Sequence, residues 1–346
     1  MTPGSELPVE AEDTTGRARK GPSPVEVLAW VLLASSVALH VVGMTQTYFT
    51  GEPTLASQVD QATLYSILAA CWAIAFITGL LGAKRVAVTA GLALGLAATE
   101  LGFRVSDLGG ALKIGTSEVG TGMWIMTIAW VAGAAGAVLL CIAVRDRSRA
   151  LASGSPVADE ERSEGRYERT NGWVVSVAAL GLATGGLFLP PWDHYQLTST
   201  VTGVTRSVDL GNGLSGPWPI VVGNLVVAGS VVVLAVVGVT LRRRRMGAAL
   251  VGGSLAVLAG QMASAVVQAD QPVSPAAVGL SPSAVTQFGV VIKVSLTGWF
   301  ALDAIAALTL LTTMMCWATA RTAQENSSVT SGNTPDSRNS AIPLAS

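Results

Sequence analysis

Long apolar runs separated by short polar segments dominate the chain between residues 25 and 319. A helix needs about 20 apolar residues, at roughly 1.5 Å each, to cross the hydrocarbon core of a membrane. The runs of that length predict eight spans: Val25–Met44, Leu64–Leu81, Val86–Phe103, Gly122–Val144, Gly172–Leu189, Pro219–Leu241, Met246–Val267 and Val290–Thr319. The predicted fold class is therefore all-α, a polytopic bundle of membrane helices.

The first four and the last four runs resemble each other in order and spacing. For the third and seventh runs, a shift of 161 positions places Lys84 on Arg245, Gly91 on Gly252 and Glu100 on Gln261. Units with an even number of spans repeat in parallel, about an axis along the membrane normal. We therefore expect two four-helix repeats, at 25–144 and 172–320, joined by a polar cytosolic linker at 145–171.

Both ends of the chain lack apolar periodicity. Residues 1–24 are rich in Pro, Glu, Thr and Gly, and residues 321–346 are rich in Ser, Thr and Asn. Such compositions bury too little apolar surface to offset the entropy of ordering a chain. We expect two disordered cytosolic tails.

Composition supports a membrane protein. Only 12% of the residues are charged and 50% are hydrophobic, whereas a soluble domain carries roughly 25% charged residues. The net charge of −1 supplies no basic field for nucleic acid, so we expect none as a partner. The Ala-, Gly- and Val-rich, Lys-poor composition suggests a bacterial protein.

Basic residues accumulate on one side of the predicted spans. The densest cluster, Arg242–Arg245, stands between two apolar runs. Arginine enters hydrocarbon only at high cost, and Lys and Arg collect in cytoplasmic loops. The cluster is therefore the predicted topology anchor of a multi-pass cell-membrane protein with both termini cytoplasmic.

A longer polar segment at 190–217 is predicted to lie on the exterior side. Its β-branched stretches Tyr195–Val201 and Val204–Leu210 alternate around Thr202-Gly203, which predicts a small hairpin. The residues that open it form a candidate partner surface: Trp192, Asp193, His194 and Tyr195. The alternative is that the preceding Pro-Pro-Trp only ends a helix.

Four polar residues interrupt the apolar spans, all in their predicted outer halves: His40, Glu100, Gln261 and Asp303. Such groups usually face a bundle interior or water. One interpretation is a polar chamber open to the exterior, where Glu100 and Asp303 bind a cation, proton or polar ligand. The other is structural: Glu100 pairs with Arg104 one turn along the helix, and Asp303 reaches water, a hydroxyl group or the His40 ring.

No catalytic signature is present. The chain has two histidines, and it contains neither a phosphate-binding loop nor metal-ligand spacing. We therefore expect no enzyme, no cofactor and no metal. The favoured function is an accessory or scaffold subunit of the bacterial cell envelope. It would contact membrane lipid and either an envelope protein or a second copy through its exterior loops. The alternatives are a transporter or channel subunit that uses the polar chamber and, least favoured, a lipid-modifying enzyme.

Overall fold

The computed structural model describes residues 22–82, 85–152, 192–208, 214–241, 244–271, 273 and 280–331. Eight α-helices and three β-strands lie within these ranges. The helices are α1 (Pro24–Met44), α2 (Val59–Leu80), α3 (Val86–Ile114), α4 (Thr121–Ala152), α5 (Trp218–Thr240), α6 (Arg244–Ala269), α7 (Pro282–Phe288) and α8 (Gly298–Ser331). The strands are β1 (Asp193–Ser199), β2 (Thr205–Val208) and β3 (Val290–Leu296).

Among the described residues, seven helices are long and apolar enough to cross a membrane: α1 to α6 and α8. They correspond to seven of the eight predicted spans. The remaining span, Gly172–Leu189, lies outside the described residues, as do most of the linker and of both predicted tails. Helices α4 and α8 continue past the predicted ends of the two repeats, to Ala152 and Ser331.

Local sequence explains how α1 begins. Pro24 occupies the first turn, where its missing N–H costs nothing, and the Ser23 hydroxyl accepts a hydrogen bond from the Glu26 N–H at 3.3 Å. Glu26, which is buried, also forms an ion pair with Arg147. The start of α1 is thereby joined to the end of α4.

Helix α3 is longer than the predicted span, Val86–Phe103. The helix continues past Phe103 to Ile114. Arg104 lies one turn beyond Glu100 and pairs with it, and it also pairs with Asp107. Because these charges are neutralised along the helix itself, polar residues extend α3 instead of ending it.

Helices α3 and α6 cross with their backbones in close contact. A Cβ added at Gly95 would lie 2.0 Å from the Leu250 carbonyl oxygen, and one at Gly253 would lie 2.2 Å from that of Leu92. Only glycine fits such a crossing, and the four-residue spacing of Gly91 and Gly95 on α3 is typical of helices in close contact. The hydroxyl groups of Thr99 and Ser254 also hydrogen-bond across the crossing, at 2.7 Å.

The three strands form one antiparallel sheet in the order β2-β1-β3. Tyr195 of β1 pairs with Val208 on one side and with Val294 on the other. Gly203, with φ of +70°, lies in the turn between β1 and β2, a conformation that favours glycine.

Strand β3 corrects the predicted eighth span, which was expected to begin at Val290. Residues Val290–Leu296 alternate between half-buried and exposed positions, and helix α8 begins only at Gly298. The segment is rich in β-branched residues, and it has an unused edge of β1 to pair with. Hydropathy alone could not separate it from the helix that follows.

A buried ionic network as the candidate functional site

Glu100, on α3, lies at the centre of a buried polar network. Its Oε1 accepts a hydrogen bond from Arg104 Nη2 at 3.0 Å and lies 3.1 Å from His40 Nε2. Its Oε2 accepts one from the Trp72 indole N–H at 2.9 Å. All four residues are 0% exposed, so the carboxylate is surrounded by protein donors.

The network joins three helices. His40 comes from α1, Trp72 from α2 and Glu100 from α3. The His40 and Trp72 rings also stack, with their centroids 6.1 Å apart. In an apolar bundle, polar contacts of this kind hold helices together where the hydrophobic effect does not.

Arg104 extends the network towards the end of α3. Its Nη1 donates to the Tyr48 hydroxyl at 3.0 Å and to Asp107 Oδ2 at 3.1 Å. Tyr48 in turn donates to Asp107, and the guanidinium lies 5.6 Å from the centre of the Tyr65 ring. Among the described residues, only the Arg104 Nε atom of this group lacks a hydrogen-bond partner.

Tyr48 remains neutral in this setting. Burial, above all, and then the neighbouring Tyr65 and Asp107 raise the pKa of Tyr48 well above its usual value, although Arg104 acts in the opposite direction. Its phenol therefore keeps the proton that it donates to Asp107.

Tyr48 also connects the network to two loops. The Gly120 N–H donates to the Tyr48 carbonyl at 2.8 Å, and the Thr50 N–H donates to that of Glu118, also at 2.8 Å. An isolated β-bridge also joins Phe49, in the loop after α1, to Val119, in the loop after α3. The ionic network thus fixes the loop after α1 against the loop after α3.

Asp303, on α8, belongs to a separate contact. Its Oδ2 accepts a hydrogen bond from the Trp192 indole N–H at 2.6 Å, and the Trp192 ring packs edge-on against Phe300. Asp303 is 4% exposed. This contact attaches the start of β1 to α8.

The structure brings together two of the four predicted chamber residues, His40 and Glu100. Gln261 lies on α6, and its buried Oε1 has no hydrogen-bond partner in the described part of the chain. Within that same part, no hydrogen bond or ion pair connects Gln261 or Asp303 to Glu100.

The candidate partner surface is only partly accessible. Tyr195 is 4% exposed, Asp193 and His194 are half-buried, and the Trp192 indole is bound to Asp303. Because side chains alternate across a strand, these four neighbours cannot all face outward. They do not form one exposed patch.

The predicted topology anchor is described in part. Arg244 and Arg245 begin α6, whereas Arg242 and Arg243 lie outside the described residues. The role of Arg242–Arg245 as a topology anchor stays a prediction.

Four network residues were not anticipated from the sequence: Tyr48, Tyr65, Trp72 and Asp107. Trp72 gave a usable signal, because it lies in the middle of an apolar run and a buried indole N–H needs an acceptor. Asp107 follows Arg104 at helical spacing, but the helix was expected to have ended before it. The two tyrosines carry no sequence pattern that points to the network.

No family model matches the chain, and neither a curated protein nor a solved structure matches it. In the part of the chain that the structure describes, no three His, Cys, Asp or Glu side chains are grouped as metal ligands. The seven long apolar helices place the chain in the class of multi-pass helical membrane proteins.

Proposed function

We propose that this chain is a non-enzymatic accessory or scaffold subunit of the bacterial cell envelope. It contacts a membrane or envelope protein partner through its exterior loops. The observation that carries the proposal is the closure of the network: Glu100, His40 and Arg104 have no solvent exposure and bind one another. Charges arranged in this way support the fold and the loops above it, and none of these three side chains is open to the solvent.

The far end of the small sheet is the part best suited to contact a partner. Strand β1 begins beside Trp192, which contacts α8, and runs to Ser199, a length of about 20 Å at roughly 3.3 Å per residue. Beyond it, Val201, Val204 and Phe288 are 70%, 63% and 48% exposed. Apolar side chains that are grouped and exposed on an otherwise polar part of the surface indicate an interaction site.

A groove of about 220 Å³ accompanies these residues. It is lined by Leu197, Val204, Leu280, Phe288 and Val290, together with polar residues that include Arg206. An apolar side chain of a partner would fit this groove, of which Arg206 is one lining residue.

A photo-crosslinking experiment tests the proposal. A crosslinking residue at Val201 of the full-length protein in its native membrane should capture one discrete protein, and Val204→Asp should abolish that capture. Val233, 57% exposed on α5, is the matched control and should capture only lipid. Equal capture at both positions would contradict a specific contact at the sheet.

The arrangement of the helices supports two parallel repeats. The shift that matches Glu100 to Gln261 also matches α2 to α5 and α3 to α6. Helix α3 packs against α6, and α3 contacts α5 while α2 contacts α6. Helices α2 and α3 of the first repeat thus contact helices of the second repeat. Such contacts are expected for two units related by an axis along the membrane normal.

The proposed orientation places both termini in the cytoplasm. The Glu26–Arg147 ion pair joins two helix ends that the distribution of basic residues assigns to that side. A reporter enzyme active only in the cytoplasm should be active when fused after Ser331 and inactive when inserted at Gly203. The reverse result would overturn the orientation.

A transporter or channel subunit is the second candidate. The Asp107 side chain, 19% exposed, gives the network one contact with the solvent. If Glu100 and Asp303 carry an ion, then Glu100→Gln and Asp303→Asn should abolish activity while the protein remains folded. If the protein is a scaffold, these substitutions should change only its stability.

A further inference from the structure

Both ring nitrogens of His40 face hydrogen-bond acceptors. Nδ1 lies 2.8 Å from the carbonyl oxygen of Ser36, one turn earlier on α1, and Nε2 lies 3.1 Å from Glu100 Oε1. The Ser36 hydroxyl is also 3.5 Å from Nδ1, but the carbonyl contact is much the shorter, and a carbonyl oxygen can only accept, so Nδ1 carries a hydrogen. A neutral imidazole has a single N–H, and the bond to Ser36 uses it.

The contact between Nε2 and Glu100 therefore needs one more proton. With a neutral His40 ring and an ionised Glu100, a nitrogen lone pair would face a carboxylate at 3.1 Å. We infer that His40 and Glu100 together bind one proton, which makes the pair a closed proton-binding site between α1 and α3. The proton lies on Nε2 beside a carboxylate, or on Glu100 beside a neutral ring.

The charge of the network supports the same conclusion. With the shared proton, the His40–Glu100 pair is neutral as a unit, and Arg104 balances Asp107. Without it, Glu100 and Asp107 face Arg104 alone, and the network carries a net charge of about −1. An uncompensated charge in an apolar interior is costly.

The other groups around His40 do not supply the missing charge. From α2, Trp72 donates to the second oxygen of Glu100, and Tyr65 faces Arg104. Tyr48 and Asp107 are bound to each other at the far side of Arg104. Helix α4, which also packs on α1, has no Asp, Glu, His, Lys, Arg or Tyr between Thr121 and Val144, and its one titratable side chain there is Cys141.

The shared proton lets two buried ionisable side chains join α1 to α3 as a neutral pair. This inference does not depend on the proposed function.

Nuclear magnetic resonance of the full-length protein with ¹⁵N-labelled histidine tests the site directly. His194→Gln removes the signals of the second histidine and assigns those of His40. We expect protons on both His40 nitrogens at about pH 8 or, if the proton lies on Glu100, a carboxylic acid infrared band that Glu100→Gln removes. A singly protonated His40 together with an ionised Glu100 would overturn the inference, and the histidine measurement requires no folded variant of either residue.

A stability series provides the second test. The His40→Gln variant lacks the shared proton and leaves Glu100 without that counter-charge, so its stability should be lower than that of the wild type. The double variant His40→Gln/Glu100→Gln restores neutrality and should be more stable than His40→Gln alone. A His40→Gln variant as stable as the wild type, or a double variant less stable than His40→Gln, would contradict the inference.

Discussion

Arg104 Nη2 lies 3.0 Å from Glu100 Oε1, and the two side chains are 1% and 0% exposed. Neither charge has access to water, so each depends on its buried partners, which also include His40 for Glu100 and Asp107 for Arg104. Removing one partner of a buried pair is far more damaging than exchanging both for apolar residues. The network should therefore respond sharply to single substitutions.

Glu100→Ala is expected to lower the free energy of unfolding by about 3–5 kcal/mol. The substitution leaves Arg104 buried with only Asp107 to balance it, and it removes the acceptor of Trp72. Denaturant unfolding in detergent provides the measurement. Glu118→Ala, at an exposed loop position, is the control and should change stability little. Equal effects of the two substitutions would contradict the role of the network.

The crossing of α3 and α6 offers a matched pair of glycines. A Cβ at Gly253 would lie 2.2 Å from the Leu92 carbonyl oxygen, whereas one at Gly252 would meet no atom within 4 Å. Gly253→Ala should therefore destabilise the protein by about 1–3 kcal/mol through overpacking. Gly252→Ala should be neutral or stabilising by up to about 1 kcal/mol, because alanine favours helix. Thermal unfolding of the two variants checks the difference, and similar melting temperatures would contradict this packing.

The contact between Trp192 and Asp303 should control how firmly the sheet is attached to α8. Trp192→Phe removes the indole N–H and leaves a buried carboxylate without its donor. We expect faster amide exchange in β1, measured by hydrogen–deuterium exchange. Asp303→Asn keeps an acceptor for the indole and should preserve protection. If both variants exchange like the wild type, then the contact does not hold the sheet.

Tyr48 should ionise unusually late in alkali. Burial raises its pKa well above the usual value, which is about 10. The native protein and Tyr48→Phe should thus give the same tyrosinate absorbance near pH ~10 and differ only once the wild type unfolds. Since the folded state retains this proton longer than the unfolded chain, the contribution of Tyr48 to stability is present below pH ~10 and is lost as the pH rises further. An early difference between the two titrations would show that Tyr48 is accessible.

The limits of prediction are clearest in α3. Its apolar part was recognised from hydropathy, yet the helix was expected to end at Phe103 because charged residues follow. Besides their pairs along α3, Arg104 and Asp107 bind Tyr48 in the loop after α1, and Arg104 lies beside the Tyr65 ring of α2. Local pattern does not contain those partners.

The sequence alone determined the long apolar helices, because a run of about 20 apolar residues can satisfy its backbone in hydrocarbon only as a helix. It also identified His40, Glu100 and Asp303 as costly residues in such a setting. Only the tertiary structure decided that His40 and Glu100 meet while Asp303 binds Trp192, and that Val290–Leu296 pairs with β1 as a strand. The physical reason is that a buried polar group or an apolar β-branched segment has several possible partners. The choice among them is made by which helices and strands lie side by side.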